Sequence, residues 1–191
     1  MERRAEAVVM GASVGAIDAL SMILPVLPHD FALPLMIVVH VPPDKNNKMV
    51  ELFRSKCQLP VREAEDKEPI RGGTIYFAPP DYHLLVETDR RLSLSSEEPV
   101  QYSRPSVDVL FETAVDAYGS GLVGVLLTGA NDDGARGMGL VHEAGGIAVA
   151  QRPDLAYAPT MPRAALDLCP GIRALTLQEI GQLLREVSTS Q

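Results

Sequence analysis

Three segments of this chain are apolar at nearly every position: "EAVVMG" at 6–11, "LPLMIVVH" at 33–40 and "GLVGVLLTG" at 121–129. A strand with one wet face alternates apolar and polar residues. Runs like these need cover on both faces, which helices packed on each side of a parallel sheet supply. The intervening stretches offer that cover. Ile17, Leu20, Ile23, Leu24 and Leu27 recur at helical spacing, Pro28 closes the segment, and "NNKMVELFRSKC" at 46–57 gives a second helix. A third helix carries Val107, Leu110, Phe111, Ala114, Val115 and Tyr118 on one face, read as core packing. Pro105 sits at its opening, where a missing N–H costs nothing. A fourth helix runs from about Gly134 to Glu143, before the strand "GIAVA". Thr176 and Glu179 form a capping box for a last helix ending near Val187.

Between Thr74 and Leu94 the pattern shortens. "TIYFAPP", "YHLLVE" and "RLSLS" alternate and are separated by turn residues, which predicts an antiparallel hairpin insert. The expected fold is therefore α/β, a mostly parallel doubly wound sheet flanked by helices, with an antiparallel hairpin insert around residues 74–94. The chain has 191 residues, 46% of them hydrophobic and 22% charged, so one well-buried domain over 1–191 is expected.

A net charge of −8 argues against general nucleic-acid binding, which needs a basic face. No apolar run approaches the length of a membrane span, and "MERRAEAVVM" lacks the apolar core of a secretory signal. Cys57 and Cys169 have no metal-like spacing and read as small apolar fillers in a reducing compartment. The expectation is a cytoplasmic protein without membrane insertion.

In parallel α/β sheets, functional groups gather where strands end and helices begin. Ser13 follows the first strand, His40 ends the second, and Asp132 and Asp133 follow the strand that ends at Thr128. Serine, imidazole and carboxylate are the parts of a nucleophilic triad. Gly11-Ala12-Ser13-Val14-Gly15 matches G-x-S-x-G, in which small residues allow the sharp turn that exposes a serine. The competing dinucleotide reading fails on the same residues. Gly11-x-Ser13-x-x-Ala16 lacks two of three glycines, and His40 stands where a ribose-binding acid belongs. The order Ser, His, acid also differs from that of the α/β-hydrolases.

The blocks "GASVGAIDAL", "VVHVPP", "YFAPPDYHLLV", "SRPSVDVLFETA", "GVLLTGANDDGARGM", "EAGGIAVAQ" and "MPRAA" follow one another from about Val8 to about Asp167. In order and spacing they resemble the catalytic domain of the CheB-type chemotaxis protein-glutamate methylesterases. The resemblance implies a serine hydrolase that demethylates glutamate methyl esters of chemoreceptor proteins and also deamidates certain receptor glutamines. It assigns Ser13 as nucleophile, His40 as base and Asp133 as orienting acid. Asp133 is preferred to Asp132 because the family's acid directly precedes the glycine matched by Gly134. Backbone N–H groups of Val14 and Ala130 would form the oxyanion hole. The chemistry calls for no metal or organic cofactor. The implied partners are methylated cytoplasmic helices of chemoreceptors. The family's receiver domain has no room before Val8, which leaves three expectations open: a stand-alone enzyme, a piece of a longer protein, or a relative served by a separate regulatory protein.

Several positions depart from the family pattern. Ser13-Val14-Gly15-Ala16 stands where Ser-Thr-Gly-Gly is usual, and Val39-His40-Val41 where Gln-His-Met is typical. Thr128-Gly129-Ala130-Asn131-Asp132-Asp133-Gly134 replaces Thr-Gly-Met-Gly-x-Asp-Gly, with Asn131 at a position open to a left-handed conformation. Val14 and Ala16 keep a second reading open, a non-catalytic binding module that retains the fold. His83 is expected to be structural, and His29 and His142 to be surface residues. Arg104 and Arg163 are candidates either for contacting an acidic receptor helix or for fixing loops through backbone carbonyls.

Overall fold

The computed structural model describes residues 4–41 and 48–189. Seven strands form one sheet: β1 (Ala7–Ala12), β2 (Leu35–Val39), β3 (Val61–Glu63), β4 (Ile75–Phe77), β7 (Leu122–Leu126), β8 (Ile147–Gln151) and β9 (Arg173–Leu175). Their order is β3-β4-β2-β1-β7-β8-β9, and every pairing is parallel. The strands these runs form are buried at every position, and alternate residues serve opposite faces. Val8, Met10, Leu35 and Ile37 pack under α1 (Ala16–Ile23) and α6 (Leu177–Thr189), while Val9, Met36 and Val38 pack under α3 (Val107–Tyr118) and α4 (Ala135–Glu143). The remaining helices are α2 (Lys48–Lys56) and α5 (Thr160–Leu168).

The hairpin is narrower than the sequence pattern predicts. Only β5 (His83–Val86) and β6 (Leu92–Ser95) pair antiparallel. "TIYFAPP" instead supplies β4, which is buried at all three positions and hydrogen-bonds in parallel to both β2 and β3. Its burial between two strands outweighs the turn signals that follow it. Ile17 also differs from expectation. It is exposed, because the buried face of α1 is centred on Ala16, Ala19, Leu20 and Ile23. Pro105 precedes the capping residue Ser106 and lies just outside α3. The capping box forms as read: Thr176 N–H donates to Glu179 Oε2 at 2.7 Å, and Glu179 N–H to Thr176 Oγ1 at 3.2 Å. Asn46 and Asn47, and the Pro42-Pro43 pair, lie outside the described residues.

The chain builds outward from β1 in one direction, then returns to add β7 on its other side. β1 and β7 thus flank the switch point, where carboxyl-terminal loops diverge and leave a crevice. Ser13 leaves β1 there, the loop carrying Asp133 leaves β7, and His40 leaves the neighbouring β2. Among the described residues, no helix is long and apolar enough to cross a membrane.

Candidate active site

Ser13 sits in a turn held from below by β7. Its N–H donates to the Thr128 carbonyl at 2.9 Å, and Thr128 Oγ1 donates to the Val14 carbonyl at 2.8 Å. Thr128 is held in turn, its N–H donating to the buried Gln151 side chain at 2.9 Å. Gly15, at φ 85°, makes the left-handed step into α1. A Cβ there would lie 2.9 Å from Tyr157 Cβ and 3.1 Å from Thr128 Cγ2, so glycine is demanded by conformation and by space. The turn leaves Val14 exposed and Ser13 partly so. The N–H groups of Val14 and Ala130 make no hydrogen bond to the described residues.

His40 N–H donates to the Ala12 carbonyl at 3.1 Å, so its ring leaves the sheet beside Ser13. Nε2 lies 2.7 Å from Asp133 Oδ2. Asp133 is fully buried, and its carboxylate receives three further bonds: from Ser106 Oγ at 2.9 Å, Val107 N at 2.7 Å and Asp108 N at 3.0 Å. The last two are first-turn amides of α3, so Asp133 caps a helix far from it in sequence. Burial alone would raise its pKa. The His40 bond and the Asp108 and Val107 amides outweigh that and hold the carboxyl below the usual range. A carboxylate charged at neutral pH needs the proton of His40 Nε2, which leaves the lone pair on Nδ1.

Asn131 reads the same tautomer. Its Oδ1 accepts the Asp133 N–H at 3.1 Å, which turns its Nδ2 toward His40 Nδ1 at 3.3 Å. Asn131 does not take a positive φ; its side chain, not its backbone freedom, is what the loop uses. Ser13, His40 and Asn131 line one cavity of about 450 Å³, together with Val14, Tyr102 and Arg104. Among the described residues, no three His, Cys, Asp or Glu side chains converge to hold a metal ion.

The acid loop has a partner that sequence reasoning does not single out. Asp108, buried in the first turn of α3, accepts the Gly137 N–H of α4 at 2.7 Å. The two helices therefore exchange caps: Asp133, before α4, serves α3, and Asp108, inside α3, serves α4. Burial raises the Asp108 pKa, and the nearby Asp133 charge adds to the rise against the Gly137 bond. The available signal was "PSVD", a capping serine with an acid two residues on; what it caps is set by packing. His83 is buried and structural: its Nδ1 accepts the Ser106 N–H at 3.1 Å and its Nε2 donates to the Glu98 carbonyl at 3.0 Å.

Arg104 is a loop fastener. It donates to Asp81 Oδ1 at 2.7 and 3.1 Å and to the carbonyls of Ser96 and Glu97 at 2.9 and 3.0 Å. Arg163, His29, His142 and Asp132 are exposed. Cys57 and Cys169 are free thiols packed against the two cores, and burial pushes the Cys57 thiol up to about 11.

Residues 8–184 match the CheB methylesterase family. The chain belongs to that family. A Leptospira interrogans relative, provisionally named protein-glutamate methylesterase/protein-glutamine glutaminase, is 45% identical over 178 residues, covering 93% of this chain and 92% of its own. The protein-glutamate methylesterase/protein-glutamine glutaminase of Archaeoglobus fulgidus is 39% identical, and there this chain spans only 47% of the relative. In structure, the chain is similar to the Thermotoga maritima CheB methylesterase catalytic domain, with a TM-score of 0.91 and 31% identity, covering 96% of this chain and 98% of that one. The expected fold class holds: a parallel sheet between helices plus a two-stranded antiparallel sheet.

Proposed function

We propose that this chain is a serine hydrolase that removes methyl groups from glutamate methyl esters of chemoreceptor proteins, and that it deamidates receptor glutamines by the same route. The observation that carries the reading is the 2.7 Å bond from His40 to the buried, multiply held Asp133 carboxylate, in a cavity shared with Ser13. The names of its relatives supply the substrate class.

The steps follow from the tautomer. Nε2–H is committed to Asp133, so Nδ1 is the base. As the Ser13 hydroxyl attacks the ester carbonyl, its proton passes to Nδ1, displacing the Asn131 amide. Asp133 then faces an imidazolium, which its charge stabilises. The carbonyl oxygen gains negative charge near the free N–H groups of Val14 and Ala130, each such donor being worth on the order of 3 kcal/mol of barrier. Nδ1 returns its proton to the departing methoxide, and methanol leaves. Water, activated by the same nitrogen, cleaves the glutamyl ester of Ser13 and restores the hydroxyl. With a glutamine the leaving group is ammonia. The substitution at Val14 leaves this scheme standing, because its donor is backbone. The substrate is a receptor's cytoplasmic helices. The whole of 1–191 acts as one domain.

Methanol release from a methylated receptor fragment tests the reading. Ser13→Ala and His40→Ala should each lose activity by about 10⁴-fold or more. A fluorophosphonate probe should label Ser13 in the wild type. An inactive wild type that also resists the probe would leave the chain a binding module.

A further inference from the structure

Residues 96–104 form a strap over the mouth of the Ser13 cavity. Its base is tied by the Arg104 bonds to Ser96, Glu97 and Asp81 and by His83 to the Glu98 carbonyl. Its tip is a two-residue reverse turn: Val100 N–H donates to the Ser103 carbonyl at 3.0 Å, and Ser103 N–H to the Val100 carbonyl at 2.9 Å. Both tip residues have positive φ, Gln101 at 50° and Tyr102 at 64°. Turns of this kind favour Asn-Gly, because glycine has no Cβ and asparagine tolerates the left-handed region, where a bulky side chain is strained. Both residues are exposed. Tyr102 is fully exposed and buries its ring against nothing, although it lines the cavity that holds Ser13. Strain held at the mouth of a site, by a well-anchored loop, is more often functional than accidental.

We propose that Tyr102 is a substrate-contacting residue that selects the esterified side chain. This rests on the methylesterase reading above. Val14, also exposed, lines the same cavity, so the wall around Ser13 carries an aliphatic and an aromatic side chain. Such a mouth suits a neutral methyl ester or amide on a helix. Among the described residues its lining offers no uncommitted guanidinium or ammonium for the glutamate carboxylate that the reaction releases, since the Arg104 guanidinium is spent on Asp81 and two carbonyls. The ring would lie over the methylene stem of the target and exclude water from the acyl carbon, leaving the product to escape by hydration. The left-handed backbone aims the ring outward, where glycine would leave a relaxed but empty tip.

The test pairs kinetics with stability in the full chain. On a methylated receptor fragment, Tyr102→Gly should lower kcat/KM about tenfold, mostly through KM. The same variant should raise the thermal midpoint by about 2–4 °C, because glycine adopts this φ freely. Tyr102→Phe should keep kcat/KM within about twofold, since the ring and not its hydroxyl makes the contact. An unchanged kcat/KM in Tyr102→Gly, with the wild type active, overturns the assignment alone. A lowered midpoint overturns it too, by showing that the tyrosine serves the fold. A wild type that does not demethylate the fragment removes the methylesterase reading, and this assignment with it.

Discussion

Two turns at the carboxyl edge of the sheet are built alike and used differently. After β1 come Ser13, Val14 and left-handed Gly15; in the loop beyond β7 come Asp132, Asp133 and left-handed Gly134. In each, the first helical N–H returns to the residue three back: Ala16 to Ser13 at 3.0 Å, and Ala135 to Asp132 at 3.1 Å. Val14 and Asp133 thus hold corresponding places, yet one is 47% exposed and the other 0%. What differs is the neighbour. α3 lies against the second turn and donates its first two amide N–H groups to Asp133, whereas Val14 in the first turn stays exposed. The same local geometry therefore leaves the Val14 N–H for a ligand and ties the corresponding Asp133 N–H to Asn131.

Charge removal should separate the two turns most sharply. Asp133→Asn keeps the shape but presents an amide to His40 Nε2 or to the α3 amides. Activity should fall by about 10⁴-fold, and unfolding free energy by about 3 kcal/mol. Ser13→Ala should leave stability within about 0.5 kcal/mol. Urea unfolding of both variants beside the methanol assay checks this; equal stability losses would end the contrast. The pH dependence has a definite sign. The Asp133 carboxyl is held low in the fold, so its contribution is present above about pH 4 and is lost as pH falls through the folded value. The asparagine variant should lack that part of the acid transition.

The glycines come next. A Cβ on Gly134 would lie 2.7 Å from both Leu126 Cδ1 and Val107 Cγ1, inside the core. A Cβ on Gly15 would meet Tyr157 Cβ at 2.9 Å and Thr128 Cγ2 at 3.1 Å, a looser fit in a turn nearer the surface. Gly134→Ala should cost about 3 kcal/mol and Gly15→Ala about 1–2 kcal/mol, measured as differences in urea midpoint. A larger cost at Gly15 would show that its turn is the more rigid one.

The smallest effect concerns the partner carboxylate. Asp108 is held high, so between its unfolded and folded values the native state binds more protons, and its ionised form costs stability at neutral pH. Asp108→Asn keeps an acceptor for Gly137 and removes a like charge from beside Asp133. It should gain stability at pH 7 by under about 1 kcal/mol, and the gain should vanish below about pH 4. A loss at pH 7 would mean that the cap needs the charge.

Much of this site is legible without coordinates. Continuous apolar runs demand cover on both faces, which implies a parallel sheet. In such a sheet, residues that directly follow strands meet at one edge, so Ser13, His40 and the Asp132–Asp133 pair could be placed together from strand ends, and the family resemblance chose Asp133. The hairpin boundary was harder. Short segments such as "TIYF" carry too few residues for periodicity to decide between edge hairpin and buried strand, and β4 is buried by strands far from it in the chain.

The sequence by itself determined which chemistry is present: a serine in a glycine-bracketed turn, a histidine and a carboxylate at strand ends, and no charge pattern for nucleic acid. Only the tertiary structure decided which imidazole nitrogen faces the acid, that Asn131 meets the other one, and that an exposed tyrosine at positive φ lines the same cavity as the serine. The reason is range. Turn and strand preferences act over a few residues, whereas Asp133 meets α3 from 25 to 27 positions away and His40 from 93. Contacts over such distances depend on how whole elements pack, which no local preference encodes.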